Sequence, residues 1–523
     1  MSSQHHFCVQ IDLPMDVLRR IFEILRDTSR PVNSHPVFES LQWITEVTHV
    51  CRSWRDAALS ARYLWTNINV AASISWAPEF ARRSGDAPIC VLVHRVPNRP
   101  GHPKLHECMK ALLQENMQRI WKILFHDFDG AEENLIMSAL SDGTQVPFYT
   151  ILRHLDISFK SKSSILLSND GIRAPELERL SLTHCSVEVE FGSFRNLSHL
   201  SISNSSSPII RPDGLRRVLS QTPKLETLVL QPNYLLMDAS TVPTVDSDGT
   251  HPQAVILPNL IHIDISGRDI EWASAILQVI SYGPQRNLLV HSGRGRHAEQ
   301  ILSLFTSTLL HATMESSSIS RLKLSIATFS LVALFLEAWR GPYRVQPDIK
   351  FSILALHDLN LSNLMVGLLR RMDYRSLQIL QLNSVQPLST RLWVELFGSL
   401  PWLMMIEISQ GEREFFGALI AETGDLNIPL DHLSVGSSHT TLALPFRALK
   451  VIRLIERREL YPEDDVEFML GCLAKRLDLG MGLEGIFFQL YNYQELKSQV
   501  EPFKEVVEVM KIVFDDEPYP PEE

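Results

Sequence analysis

Two glycine-rich segments and one histidine–cysteine group have the types and spacing that could carry chemistry. Gly293-Arg294-Gly295-Arg296-His297-Ala298 follows the apolar run 288–290 and opens a helix-like stretch over 298–310. Strand, glycine turn and helix, in that order, would aim backbone N–H groups and a helix's positive end at an anion. Arg294 and Arg296 would add charge. A dinucleotide site also wants an acidic side chain on the next strand to meet the ribose, and none stands there. Gly480-Met481-Gly482-Leu483-Glu484-Gly485 has the same spacing in the wrong context, with a helical stretch before it and a strand after. His102, His106 and Cys108 have metal-like spacing without a fourth ligand. No zinc-protease helix motif or serine nucleophile elbow stands out. These residues predict a non-catalytic chain with no cofactor and no metal. A nucleotide-binding α/β enzyme using the Gly293 turn is one alternative, and a repeat scaffold unconnected to any enzyme is another.

The bulk composition agrees. The chain has 523 residues, 45% of them hydrophobic and 21% charged, which is a globular mixture and not a disordered one. The longest apolar run, Phe329 to Leu336, is far shorter than the ~18 residues of a membrane span. A net charge of −11 argues against a nucleic-acid binder with a broad basic face. From Glu501 to Glu523 eight acidic residues face two lysines, so this stretch supplies −6 of the −11. The six cysteines are scattered and form no C-x-x-C pair, and the first residues lack a basic-then-apolar leader. Reduced thiols and a cytoplasmic or nuclear location are the expectation, with no membrane and no nucleic acid among the partners.

Residues 12–70 hold the strongest pattern. Asp12 can cap a helix whose first turn holds Pro14. Leu13, Val17, Leu18, Ile21, Phe22 and Leu25 follow at spacings that make one apolar stripe. Residues 27–36 read as a loop. Ile44, Val47, Val50, Cys51, Trp54, Ala57 and Ala58 make a second stripe, and Leu64-Trp65 closes the segment. So short a block cannot bury both stripes by itself, and must pack on the rest of the chain or on a partner.

These residues resemble an F-box. Leu13-Pro14, Ile21-Phe22, Leu25, Val50-Cys51-Arg52-Ser53-Trp54-Arg55, Ala58 and Leu64-Trp65 stand in that family's order. The spacing from Leu13 to Val50 exceeds the compact motif, and the 27–36 loop absorbs the excess. The resemblance implies a three-helix module over 11–70 that docks on the Skp-type adaptor, and through it a cullin, of Skp–cullin–F-box ubiquitin ligases. It assigns adaptor contact or its support to Leu13, Pro14, Val17, Leu18, Ile21, Phe22, Leu25, Val50, Cys51 and Trp54. Apolar anchors of this kind carry most of the binding energy in such interfaces.

The rest of the chain repeats L-x-x-L-x-L. Copies include Leu152-Leu155-Ile157, Leu177-Leu180-Leu182, Leu197-Leu200-Ile202, Leu225-Leu228-Leu230 and Leu260-Ile263-Ile265. Later ones include Ile319-Leu322-Leu324, Phe351-Leu354-Leu356, Leu377-Leu380-Leu382, Leu403-Ile406-Ile408, Leu430-Leu433-Val435, Leu449-Ile452-Leu454 and Leu483-Ile486-Phe488. The middle anchors lie 19 to 35 residues apart, close to the about 20–29 of a leucine-rich repeat. Helical stretches such as 214–220, 273–280 and 392–400 alternate with these strands. The predicted fold is therefore α/β: a three-helix F-box, then an irregular leucine-rich-repeat-like solenoid with a parallel sheet over 71–492. A capping helix and acidic tail over 493–523 would close it, with Leu496, Val500, Phe503, Val506, Val507, Met510 and Phe514 as its stripe.

The polar strand positions would face outward on one side. They include His154, Asp156, Arg179, Ser181, His199, Ser201, Thr227, His262, Asp264, Arg321, Lys323, Gln381, Asn383 and Glu407. Neither sign of charge dominates. Together with the F-box resemblance, the expectation is a substrate-recognition subunit of a ubiquitin ligase, with an unidentified protein target held on the repeats.

Overall fold

The computed structural model describes residues 13–28, 42–70, 74–94, 103–128, 148–163, 173–185, 194–205, 212–232, 254–282, 287–295, 320–328, 332–339, 349–355, 375–383, 387–421, 445–457, 462–490 and 501–514, and singly 136, 140, 367, 370 and 499. Asp12, most of the 27–36 loop, His102, the 298–310 stretch and the Leu430 repeat lie outside them. The architecture is mixed α/β and rich in parallel sheet. The chain divides into two compact units, Met1–Leu260 with Gln278–Ser281, and Ile261–Leu277 with Tyr282–Glu523. The division falls inside the stretch 71–492 that the repeats predict as one array.

The first unit opens with three helices, α1 (Met15–Thr28), α2 (Gln42–Thr48) and α3 (Arg52–Ser60). A 3-10 turn, Arg62–Trp65, leads into β1 (Asn67–Asn69). Helix α4 (Ala77–Ser84) then precedes β2 (Ile89–His94), and α5 (Pro103–Asn116) precedes β3 (Ile120–Phe128). Strands β4 (His154–Ser163), β5 (Arg179–Cys185), β6 (His199–Ser205) and β7 (Thr227–Pro232) follow. β1 to β7 pair in sequence order, every pair parallel. Parallel neighbours need crossover connections, and α4 and α5 provide the first two. β8 (Val255–Leu257) and β10 (Ile280–Tyr282) form a separate two-stranded sheet.

The leucine triplets explain the register. Ile123, Leu155, Leu180, Leu200 and Leu228 align across five strands, and Phe125, Ile157, Leu182, Ile202 and Leu230 form the row two residues on. All ten are buried. With a side-chain period of two, a slip by one residue would turn both rows out to water. Each buried side chain is worth about 1.5–3 kcal/mol. The first leucine of each triplet sits not in the strand but in the turn before it. Leu177, Leu197, Leu225 and Leu260 each donate their N–H to the carbonyl three residues back. The next two N–H groups then bond the preceding turn: Glu178 and Arg179 both donate to Arg153, and Ser198 and His199 both to Glu178. Cys185, at the consensus Asn/Cys position, is buried and donates from Sγ to the Ile157 carbonyl at 3.6 Å.

The second unit contains β9 (His262–Asp269), β11 (Asn287–Gly295), β12 (Arg321–Thr328), β13 (Val332–Trp339) and β14 (Ile349–Ala355). It continues with β15 (Ile379–Asn383), β16 (Met405–Ile408), β17 (Val451–Arg457), β18 (Gly485–Leu490) and β19 (Val509–Phe514). The spatial order is β9, β11, β14, β13, β12, β15, β16, β17, β18, β19. All pairs are parallel except β12–β13 and β13–β14. The unbroken parallel array of the sequence reading is therefore interrupted by an antiparallel strand built from the longest apolar run. Only residues 329–331 separate β12 from β13, and a parallel crossover needs a dozen or more. Phe351 also departs from the pattern. It lies inside β14, opposite Val290, whereas the first anchors of the other described triplets sit in the turn before their strands.

Two further expectations give way. The 493–523 segment is not one helix: it holds a 3-10 turn at Glu501–Glu505 and then β19, parallel to β18. Val509, Ile512, Val513 and Phe514 are β-branched or aromatic, and as a strand they pair the backbone groups of the β18 edge, which a helix would leave open. The Gly293 segment is not a strand-to-helix turn up to residue 295, since Gly293 and Gly295 both belong to β11. The Gly480 segment behaves as expected, ending the helix Glu463–Asp478 with Gly480 at φ +74°.

Candidate functional site

Helix α1 begins where the Pro14 carbonyl accepts from the N–H groups of Val17 and Leu18. Its sides carry ion pairs between Arg20 and Glu23 at 2.7 Å and between Arg19 and Asp16 at 3.5 Å. Leu18 and Phe22 are buried, and Phe22 meets Trp54 of α3 with ring centroids 5.4 Å apart. Ile44 and Val47 of α2 and Ala57 and Ala58 of α3 complete this small core. Cys51 caps α3, its Sγ accepting from the Trp54 N–H at 3.5 Å, and Arg55 Nε ties α3 back to the Thr48 carbonyl at 2.9 Å.

The block is fastened to the rest of its unit. Arg26 donates to the Tyr63 carbonyl at 3.0 Å. Trp65 is fully buried, donates from Nε1 to the Ala58 carbonyl at 3.0 Å, and packs edge-on against Phe80. The Arg83 guanidinium lies 4.4 Å over the Trp65 ring. Burial, then the negative charge of Glu23, pushes the Tyr63 hydroxyl above its ordinary pKa.

The ten residues assigned to adaptor contact separate into three environments. Leu18 and Phe22 are core. Leu13, Ile21, Leu25 and Trp54 are half-buried. Pro14, Val17, Val50 and Cys51 are exposed, Val17 at 44% and Val50 at 56%. The single stripe read from the sequence is thus a broad arc whose two edges have different fates. One edge, Leu18, Phe22 and Leu25, turns toward α2 and α3. The other runs through Leu13, Val17, Ile21 and Ile24 at helical spacing toward solvent. Ile24, 49% exposed, belongs to this outer edge and escaped the sequence reading. Its spacing of seven from Val17 was the available signal.

The polar positions of the strands alternate with the buried anchors as predicted, with two exceptions. Gln381 and Glu407 are buried. Arg321 donates to Gln381 Oε1 at 2.8 and 3.0 Å, Gln381 Nε2 donates to Glu407 Oε1 at 2.8 Å, and Arg453 Nη1 donates to Glu407 Oε2 at 3.2 Å. The long arginine stems cover the shorter side chains.

Among the described residues no group of three or more His, Cys, Asp or Glu could hold a metal ion. Cys108 donates to the Ile74 carbonyl at 3.5 Å, and burial raises its thiol pKa. His94 is buried with Nε2 2.7 Å from Asp127 Oδ2, and Asp127 has a positive φ of 61°. Among the described residues no helix is long and apolar enough to cross a membrane. No protein-family model matches the sequence, and no curated protein matches it either.

Proposed function

We propose that this chain is a substrate-recognition subunit of a Skp–cullin–F-box ubiquitin ligase, with an F-box at residues 11–70 and a leucine-rich-repeat-like solenoid after it. The observation that carries the reading is the exposed apolar edge of α1 together with Val50 and Cys51 at the start of α3. The three-helix block has a filled core of its own and is fastened at Trp65, and it leaves Val17 and Val50 about half exposed. Such side chains are anchors for a partner with apolar pockets. Val17, Val50 and Cys51 are among the motif residues that the F-box resemblance assigns to the adaptor, and Ile24 extends their edge by two helical turns.

In this role the chain performs no chemistry. It holds a protein target on the sheet face of its repeats and places it near the ubiquitin-loaded enzyme, so that the rate gain comes from proximity. Hydrogen exchange on the full chain, with and without purified Skp-type adaptor, tests the reading. Protection confined to residues 13–28 and 50–60 supports it. Unchanged exchange in both segments at saturating adaptor overturns it.

A further inference from the structure

The two units arrange charge differently on the polar side of their sheets. In the second unit one row runs Glu337, Lys323, Gln381, Glu407, Arg453 across neighbouring strands. Its signs alternate, and the row satisfies itself through Lys323–Glu337 at 3.7 Å and Arg453–Glu407 at 3.2 Å. In the first unit the comparable row is Lys122, His154, Arg179, His199, each opposite the next. Every titratable member of this row is basic.

Basic neighbours directly opposite on paired strands cost a sheet stability. His154 registers that cost: burial first, then Lys122 and Arg179, hold its imidazole below its ordinary pKa. Nearby acids are already engaged, Glu178 with Arg153 at 3.5 Å and Asp156 with His126 at 3.8 Å. The flanking row supplies hydroxyls from Ser181 and Ser201. Strands about 4.8 Å apart spread Lys122, His154 and Arg179 over roughly 10 Å. A single phosphate wants converging bidentate arginines, and this row has one arginine. A nucleic acid wants a larger basic surface than a chain of net charge −11 offers.

We infer that the Lys122–His154–Arg179 row on β3–β5 is a docking site for an acidic protein segment that presents several carboxylates in line. The inference deepens the substrate-receptor reading and rests on it for its biological use. The binding itself is measurable without the adaptor. Fluorescence anisotropy of labelled deca-glutamate on the full chain at low salt is the test, with deca-lysine and a ten-nucleotide oligothymidine as comparators. Lys122→Ser/Arg179→Ser should weaken deca-glutamate by about tenfold or more, and Arg453→Ser should leave it unchanged. Arg179→Ser alone, at an exposed position, gives the same direction should the double variant melt early. Absent deca-glutamate binding, equal binding by the variants, or tighter binding of oligothymidine overturns the inference. Adaptor affinity measured on the same proteins separates the two claims. Peptide binding without adaptor binding topples the ligase reading and keeps the row, and the reverse topples the row.

Discussion

Replacing Val17, Ile24 and Val50 together by alanine separates docking energy from folding energy. These side chains are 44%, 49% and 56% exposed, so about half of each is still in water before any partner arrives. Full burial of such a side chain is worth about 1.5–3 kcal/mol, so the half buried on docking is worth about 1 kcal/mol each. Alanine retains part of that surface. The triple variant should lose about 2 kcal/mol of adaptor affinity, roughly 30-fold in Kd. Its own stability should fall by only about 0.5 kcal/mol per site, as for other half-exposed positions. Phe22→Ala is the counter-case. Phe22 is fully buried against Trp54, so its loss should cost about 3–5 kcal/mol of stability. Titration calorimetry against the adaptor and urea melts of the free chain give both quantities. A triple variant within about threefold of wild-type affinity, under 1 kcal/mol, would refute the reasoning. So would a folded Phe22→Ala protein that loses more affinity than the triple variant.

Three further substitutions test the packing. Arg476 is buried and donates to the Pro445 and Phe446 carbonyls, and burial lowers its pKa to about 10. Arg476→Ala should cost about 3 kcal/mol in a chemical melt, and Arg476→Met should recover part of it by refilling the space. Gly411 has φ +76°, and an added Cβ would stand 2.8 Å from Pro387 Cβ, whereas Gly480 at φ +74° meets nothing within 4 Å. Gly411→Ala should therefore lower stability by more than Gly480→Ala, which should cost about 1 kcal/mol, and equal losses would show that only the dihedral matters. Hydrogen bonds from Arg82 and then Arg83 hold the Glu79 carboxyl at about 2, below its ordinary 4.5. A depressed acid stabilises the fold above its unfolded pKa and loses that contribution as pH falls. Wild type should lose stability between about pH 4.5 and 2 in a way that Glu79→Gln does not, measured by thermal melts across that window.

The repeat anchors were legible because burial of a parallel strand leaves a direct trace in sequence. Leu180, Leu200 and Leu228 sit in one buried row, as their spacing required. Strand β13 was hidden because a run of apolar residues has no direction, and only the three-residue gap before Val332 told against a crossover. β19 was hidden because Met510 and Phe514 fit a helical period as well as a strand's, and the sheet edge that recruits them is not local. In α1 the apolar arc was visible, but which edge met α2 and α3 depended on tertiary packing. Gln381 and Glu407 looked exposed by alternation, and their burial arises from Arg321 and Arg453 on other strands.

Size-exclusion chromatography with light scattering on the full chain and a Skp-type adaptor tests the central claim most directly. The account predicts a one-to-one complex for wild type and separate elution for Val17→Asp/Val50→Asp, whose sites are exposed and whose fold should persist. Separate elution of the well-folded wild-type chain, or a complex indifferent to both aspartates, would contradict it.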